Sequence, residues 1–544
     1  MSNETLHITE AADDAGPAQP VAKPPSLFRN YVSMVGGAIV LASLLSIVLL
    51  FLIEITSAHA ENPYLGILTY IIFPSILLFG LFVTILGRIL ERRRRHRAAP
   101  GDHPAYPKLD LNDPRSRKAF FVFLIVTFVF VSASAFGSYR GFEYTESVSF
   151  CGTTCHTVMK PEYTAYLAGA HARVGCVGCH VGPGASWYVR SKLSGAYQLY
   201  SVTFKKYSRP IGSPVHNLRP AQETCEQCHW PEKFFGAQLK VFNRYGYDEH
   251  NTLRQRRMLI NVGGGSPQTG LVTGIHWHMN IANEITYISI DDRRQVIPWV
   301  RIKDRSGNVR EYFDRNRPLT AEQIANGSRR KMDCVDCHNR PAHVYQPPDV
   351  AVDLAFVAGR LDPSLPFLKK KAVEMLSRPY DTTPQAVADI AAGLSEFYSK
   401  NYADVYAQKR QSVDGAIAEV QRIFQTYFFP EMKTDWQTHP NNIGHLYFSG
   451  CFRCHDGDHV SKDGKVITNN CNVCHTMIYD SANPEASVKT GPFIHPVDLG
   501  SLADRKCEFC HKPNQPFKHP INLGDISMFQ CAECHRKDDP QAKK

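Results

Sequence analysis

Hydrophobic and polar positions divide this chain sharply. Three stretches are apolar almost throughout, from Tyr31 to Ile55, from Tyr64 to Leu90 and from Ala119 to Phe136. Each reaches or approaches the roughly twenty residues that a helix needs to cross the hydrocarbon core of a bilayer, so they predict three transmembrane helices. The short connection around Thr56 to Pro63 has no Lys or Arg. The one between the second and third stretches holds ERRRRHR, Glu91 to Arg97, and then Lys108, Arg115, Arg117 and Lys118. Basic loops stay in the cytoplasm, which places the N-terminus inside and everything after Phe136 outside. A cleaved signal peptide is the alternative for the first stretch, with Ala58-His59-Ala60 as a cleavage-like site. Its apolar run is longer than the usual seven to fifteen or so residues, and a polar tail precedes it. That tail, residues 1–30, is expected to be disordered and cytoplasmic.

Beyond the third stretch the periodicity changes. Between about Arg254 and Phe313 lie strand-like runs, MLINV, ITYISI and VIPWVRI, with Asp304-Arg305-Ser306-Gly307 as a turn before VREYF. They predict a small β-rich insertion. The following segment turns to helical spacing, as in Pro384 to Tyr398 and Val413 to Phe428, and carries no catalytic constellation.

The cysteines change the picture most. All sixteen fall after residue 150, and each belongs to a pair closed by histidine. Seven pairs read C-x-x-C-H: Cys176, Cys179, His180; Cys225, Cys228, His229; Cys334, Cys337, His338; Cys451, Cys454, His455; Cys471, Cys474, His475; Cys507, Cys510, His511; and Cys531, Cys534, His535. The first, CGTTCH, has one more residue between Cys151 and Cys155 before His156. Two thiols about a helical turn apart can add to the two vinyl groups of one haem, and the next residue then offers its imidazole to the iron. Zinc sites rarely place histidine behind every second cysteine. The pattern therefore predicts eight covalently bound haems (heme c), the first through a C-x-x-x-C-H variant. The formal charge of +10 would be offset by the haem propionates, and the basic run sits in one loop, so no nucleic-acid partner is expected. The three apolar stretches contain no histidine, so no bis-histidine haem is expected inside the bilayer.

Electron-transfer haems need a second axial ligand. Eleven further histidines lie in the outer region. His171, His343, His445, His459, His495 and His519 are the preferred ligands because each lies close in sequence to a motif, with one of His276 and His278, which would face the same side if on a strand. His216, His250 and His439 are weaker candidates. His495 in FIHPVDLG and His519 in FKHPINLG each stand twelve residues before the next motif, an internal repeat that makes them equivalent. The pairing of ligands with irons is not readable from the sequence.

From the third apolar stretch to about Trp230, the order of features resembles the NapC/NirT/NrfH family of membrane-anchored quinol dehydrogenases: an apolar helix, FCGTTCHTVM, a histidine, GCVGCHVGPG and a basic amphipathic stretch. The resemblance implies that Met159 ligates the first haem, although it follows His156 by three residues instead of two. It implies that His171 ligates a neighbouring haem and that Lys192 lines a quinol pocket. The acidic residue the family has seven positions after that lysine is Leu199 here. A thioether ligand would raise the potential of the first haem, and a lysine can hydrogen-bond a quinol oxygen and stabilise its anion; a snorkelling interfacial residue is the alternative for Lys192. With its added haems, the whole chain looks most like inner-membrane cytochromes of metal-respiring bacteria.

The expected fold is a membrane protein with three transmembrane helices plus a haem-packed, mainly α multihaem cytochrome region with a small β-rich insertion. The expected domains are the tail, three helices over 31–138 with a basic loop at 91–118, a NapC/NirT-like three-haem module over 139–232, the β-rich insertion over 233–330, the fourth haem and helical segment over 331–450, and a four-haem module over 451–544. The expected function is electron transfer from a membrane quinol, menaquinol by the resemblance, to periplasmic c-type cytochromes or a terminal reductase. The haem region would face the periplasm from a bacterial inner membrane. Whether it is an enzyme stays open: a quinol dehydrogenase if catalytic. The alternatives are a multihaem reductase of nitrite, hydroxylamine or a sulfur oxyanion, or a relay subunit of a larger respiratory complex.

Overall fold

Two of the apolar stretches become a pair of long helices in the computed structural model, which describes residues 27–28, 30–56, 72–97, 114–154, 156–182, 185–215, 219–230, 236–263, 274–279, 283–304 and 306–481, with positions 68, 112 and 234 besides. The helices are α1 (Tyr31–Thr56) and α2 (Phe73–Arg97), and both are long and apolar enough to cross a membrane. They meet backbone to backbone because small residues line the seam. A Cβ on Gly36 would fall 2.5 Å from the Thr84 amide nitrogen, and one on Gly87 would fall 2.5 Å from that of Ser33. Ser33 Oγ donates to the Thr84 carbonyl at 3.0 Å across this seam, the kind of contact that replaces hydrophobic attraction between helices in lipid. The arginine run read as a loop instead forms the last two turns of α2, since arginine is a good helix former and cations suit a helix C-terminus. The third apolar stretch is helical throughout, within α3 (Pro114–Thr145).

The chain divides into two compact units, Met1–Phe142 and Glu143–Lys544. The second begins with short helices around the first motifs: α4 (His156–Leu167), α5 (Cys176–His180), α6 (Ala185–Thr203) and α7 (Ala221–Cys225). A hairpin follows, β1 (Gln238–Tyr245) and β2 (Leu253–Ile260), paired from Gln238↔Ile260 to Tyr245↔Leu253. The expected strand runs then appear as β3 (Glu284–Ile288), β4 (Trp299–Lys303) and β5 (Val309–Asp314), and the turn before β5 closes with the Gly307 amide on the Asp304 carbonyl at 3.0 Å. After α8 (Ala321–Asn326), β6 (Arg329–Lys331) and α9 (Cys334–Cys337), the chain enters a helical bundle. Two strands from beyond residue 450, β7 (His459–Ser461) and β8 (His475–Asp480), return to the β region. The sheets run β1-β2-β8 and β6-β3-β4-β5-β7, so each depends on a strand from the later haem motifs.

The bundle consists of α10 (Pro348–Val357), α11 (Leu368–Leu376), α12 (Thr383–Asn401), α13 (Ala403–Gln408) and α14 (Arg410–Tyr427). Val352, Leu365, Ile390, Leu394, Val420 and Ile423 are fully buried in one cluster. This part has an apolar core of its own, contrary to the expectation that haems supply the interior throughout. Lys369 is sealed inside with its ammonium 2.7 Å from Asp353 Oδ1 and 2.6 Å from the Tyr245 carbonyl, which ties the bundle to β1.

Candidate haem-ligating site

Each complete C-x-x-C-H motif in the described region is built on a single short turn. The amides of His229, His338 and His455 donate to the carbonyl of the first cysteine of their own motif at 2.8, 2.8 and 3.0 Å. That closure keeps the two thiols together and points the histidine onward. In the first motif the extra residue is taken up by a π-helical turn, Phe150–Thr154, a wider turn suited to a longer spacing. Gly152 is required there, because a Cβ would lie 2.2 Å from the Tyr163 ring. Gly450, just before Cys451, has a φ of +48° and the Gly444 oxygen 1.8 Å from where a Cβ would stand. Met159 is half-buried in the first turn of α4. Cys155, Cys507, Cys510, His511, Cys531, Cys534, His535, His495, His519 and His216 lie outside the described residues, as does the side chain of His156.

The remaining motif histidines each face a second histidine. Ring centroids are 6.2 Å apart for His180 and His343, 6.1 Å for His229 and His171, 6.3 Å for His338 and His276, 5.7 Å for His455 and His278, and 6.2 Å for His475 and His445. Two imidazoles bound to one metal, with about 2.0 Å to each nitrogen and about 1.1 Å from nitrogen to centroid, would stand about 6 Å apart. The donor set therefore fits an iron between each pair. Hydrogen bonding supplies a second test. His171 Nδ1 lies 3.0 Å from the Pro341 carbonyl, His276 Nδ1 3.0 Å from that of Val262, and His278 Nδ1 2.7 Å from that of Ile275. For His343 the partner is the Glu162 carbonyl at 2.9 Å, and for His455 the Thr468 carbonyl at 2.6 Å. A carbonyl can only accept, so Nδ1 carries the proton and Nε2 keeps its lone pair for a metal. Burial pushes His180, His278, His338, His455 and His475 below the usual histidine value, which favours the neutral, ligating form. Among the described residues no group of three or more His, Cys, Asp or Glu could hold a bare metal ion.

Two sequence expectations change here. His276 and His278 sit on a 3-10 turn, Ile275–Met279, and not on a strand. With about three residues per turn, positions two apart diverge, and the two rings face different motifs. His459 was a preferred ligand, yet both of its nitrogens are engaged: Nδ1 lies 2.9 Å from Asp456 Oδ1 and Nε2 lies 2.7 Å from the Ile297 carbonyl. Burial works against its charge, but the Asp456 carboxylate outweighs it and holds the pKa above the usual value. A doubly protonated imidazole has no lone pair for iron, so His459 is a structural cation. His439, buried against the Tyr345 ring, is pushed down to about 4 by burial and by Arg340; His250 lies in an exposed turn.

The motifs adjoin in chain order. The sulfurs of Cys151 and Cys176 stand close enough to raise the cost of ionising Cys151, and those of Cys225 and Cys334 do the same for Cys225. Burial raises the Cys179, Cys337 and Cys474 thiols, and the neighbouring sulfurs of Cys228 for the first and Cys451 for the other two add to it. Between the fourth and fifth motifs the join is a clamp that the sequence reading missed. Arg453 donates to the carbonyls of Gly450, Arg294 and Asp336 at 2.9, 2.9 and 2.6 Å. The buried Asp336 carboxylate accepts from Tyr287 at 2.7 Å, Arg330 at 2.8 Å and Arg294 at 3.3 Å. The signal was present: opposite charges occupy the same inner position of CVDCH and CFRCH.

Near the first motif, Lys192 on α6 forms an ion pair with Glu146, and both charges act on the Cys151 sulfur. Along α6 and one residue past its end, Leu193, Tyr197, Tyr200 and Phe204 form an exposed stripe, flanked by Arg190 stacked on Trp187 and Lys206 on Tyr200.

Comparison with known proteins identifies the family. Residues 113–211 match the model of the NapC/NirT cytochrome c family, N-terminal region. The chain is 44% identical over 485 residues to the cytochrome c-type protein ImcH of Geobacter sulfurreducens, an alignment covering 89% of this chain and 95% of that protein. No solved structure matches it. The chain thus belongs to the ImcH family of membrane cytochromes c, here with a NapC/NirT-type region, proteins of electron transfer that bind haem c covalently.

Proposed function

We propose that this protein takes electrons from a membrane quinol, menaquinol in the reading given by its wider resemblance, and delivers them from eight haems to periplasmic cytochromes or a terminal reductase. The observation that carries the proposal is the set of five opposed histidine pairs, His180–His343, His229–His171, His338–His276, His455–His278 and His475–His445. Each pair would hold one haem iron from both sides, with the motif cysteines as thioether anchors. When bound, such haems supply one-electron ferric–ferrous couples with no open coordination position. Capped irons favour transfer over reduction of nitrite, hydroxylamine or a sulfur oxyanion. His156, His511 and His535 would be proximal ligands, His495 and His519 distal ligands in the C-terminal repeat, and Met159 the thioether ligand of the first haem.

Quinol entry is assigned to the neighbourhood of Lys192. Its ammonium would donate to a quinol oxygen and stabilise the anion left by deprotonation. The exposed aliphatic and aromatic stripe of α6, with its flanking cations, has the character of a helix lying in a membrane interface, which would give a lipid-soluble donor access there. With no histidine in the three apolar stretches, oxidation and proton release would occur on the outer face.

The test is to add a reduced menaquinol analogue to the purified holoprotein and follow the haem absorption bands, then to offer nitrite and hydroxylamine. Reduction by the quinol without turnover of either small molecule is the expected result. No reduction, or rapid turnover, would overturn the proposal. Lys192→Leu is expected to slow quinol reduction by about tenfold or more while reduction by dithionite is unchanged; equal quinol rates would remove Lys192 from the site.

A further inference from the structure

Oxidising a quinol releases two protons along with two electrons, and an ammonium cannot accept them. We propose that Glu146 is the carboxylate that takes the quinol protons, an inference that rests on the quinol reading above. Glu146 stands in the turn between α3 and the π-helical turn of the first motif, five residues before Cys151. Its Oε1 accepts from Lys192 Nζ. Its Oε2 is buried and has no hydrogen-bond partner among the described residues. A buried carboxylate oxygen left without a donor is costly and calls for a partner. The side chain of Glu146 is 11% exposed and that of Lys192 39%, so the lysine is the more accessible of the pair. A hydroxyl held by Lys192 would find in Oε2 an acceptor that is unfilled among the described residues.

The chemistry follows from this placement. The quinol hydroxyl donates to Oε2, its O–H bond breaks and the proton stays on the carboxylate; a ferric haem held by the adjoining first motif would be the acceptor of the electron released. The carboxylic acid loses its proton to the outer aqueous side. The second O–H then breaks in the same way, and with ferric haems as the one-electron acceptors one quinol would yield one quinone, two ferrous irons and two protons. Among the described residues Lys192 pairs with Glu146 and the Cys151 sulfur lies within reach of its charge, and that sulfur no longer titrates once it is a thioether. Glu146 thus has the right charge to act as base.

The experiment uses the full-length holoprotein in lipid nanodiscs and the variant Glu146→Gln. Binding of a non-reducing hydroxyquinoline N-oxide is measured by fluorescence, and reduction by a menaquinol analogue by stopped flow across pH. The expected result is inhibitor affinity within about threefold of wild type and quinol reduction about 100-fold slower, the scale of losing a general base, with the rise of rate with pH abolished. A rate within about twofold of wild type would overturn the assignment, as would inhibitor affinity falling in step with the rate, which would make Glu146 only a support for Lys192. If E146Q fails to incorporate haem, Glu146→Asp serves: a several-fold slower rate that still rises with pH is expected, and a rate independent of pH overturns the assignment. A wild type that menaquinol cannot reduce would overturn the quinol reading and this inference with it, whereas a reducible wild type with an equally fast variant overturns Glu146 alone.

Discussion

The two histidines of the Ile275–Met279 turn allow a sharp prediction, because their rings meet their partners at opposite angles. The planes of His276 and His338 are 3° apart, and those of His278 and His455 are 86° apart. Parallel imidazoles act on the same iron d orbital, split it from its neighbour and give a rhombic low-spin signal. Perpendicular imidazoles act equally on both orbitals and give a strongly anisotropic low-field feature. With one iron per pair, each signal integrates to one spin per molecule, about one eighth of the ferric total for eight haems. His278→Ala is expected to remove one low-field feature and to add one spin of high-spin ferric signal; His276→Ala is expected to remove one rhombic signal instead. Haem content should stay constant, since attachment depends on cysteines elsewhere. The assay is electron paramagnetic resonance of the fully oxidised protein with spin counting. If either variant keeps every low-spin signal, that histidine does not ligate iron; if both remove the same signal, the two do not serve separate centres.

Two further outcomes are expected. Asp336→Ala leaves Tyr287, Arg330 and Arg294 without their shared buried acceptor; because both arginines reach partly into solvent, the loss should sit at the low end for a broken buried pair, about 3 kcal/mol, in chemical denaturation followed by the haem bands, and a loss under about 1 kcal/mol would refute the clamp. The raised pKa of His459 means that its ion pair with Asp456 stabilises the fold fully below the unfolded histidine value of about 6.5 and that this stability fades as pH rises through the folded value; His459→Gln should flatten the decline in denaturant midpoint over that window, and an unchanged decline would refute the assignment.

Much of the architecture is legible in the chain because its causes are local. The helices of the bundle appear at Thr383–Asn401 and Arg410–Tyr427, close to where helical spacing put them, and three of the insertion's strands follow the apolar runs. The hairpin strand β1 was missed, since QLKVFNRY has charged and polar residues where alternation should be clean. Strands β7 and β8 were missed because they overlap or directly follow haem motifs, and short strands become strands only when a sheet edge receives them.

The sequence by itself determined the haem motifs, since attachment chemistry is confined to five or six consecutive residues, and it determined the apolar helices, since lipid burial depends on composition alone. Tertiary structure alone decided how the histidines pair. His343 lies five residues after His338 yet faces His180, and His171 lies nine before His180 yet faces His229. It also withdrew His459, whose proximity to a motif counted for less than a carboxylate three residues away, and it placed Glu146 against Lys192, 46 residues distant. A second ligand or a proton acceptor has only to arrive at the right point in space, and that requirement leaves no spacing to read.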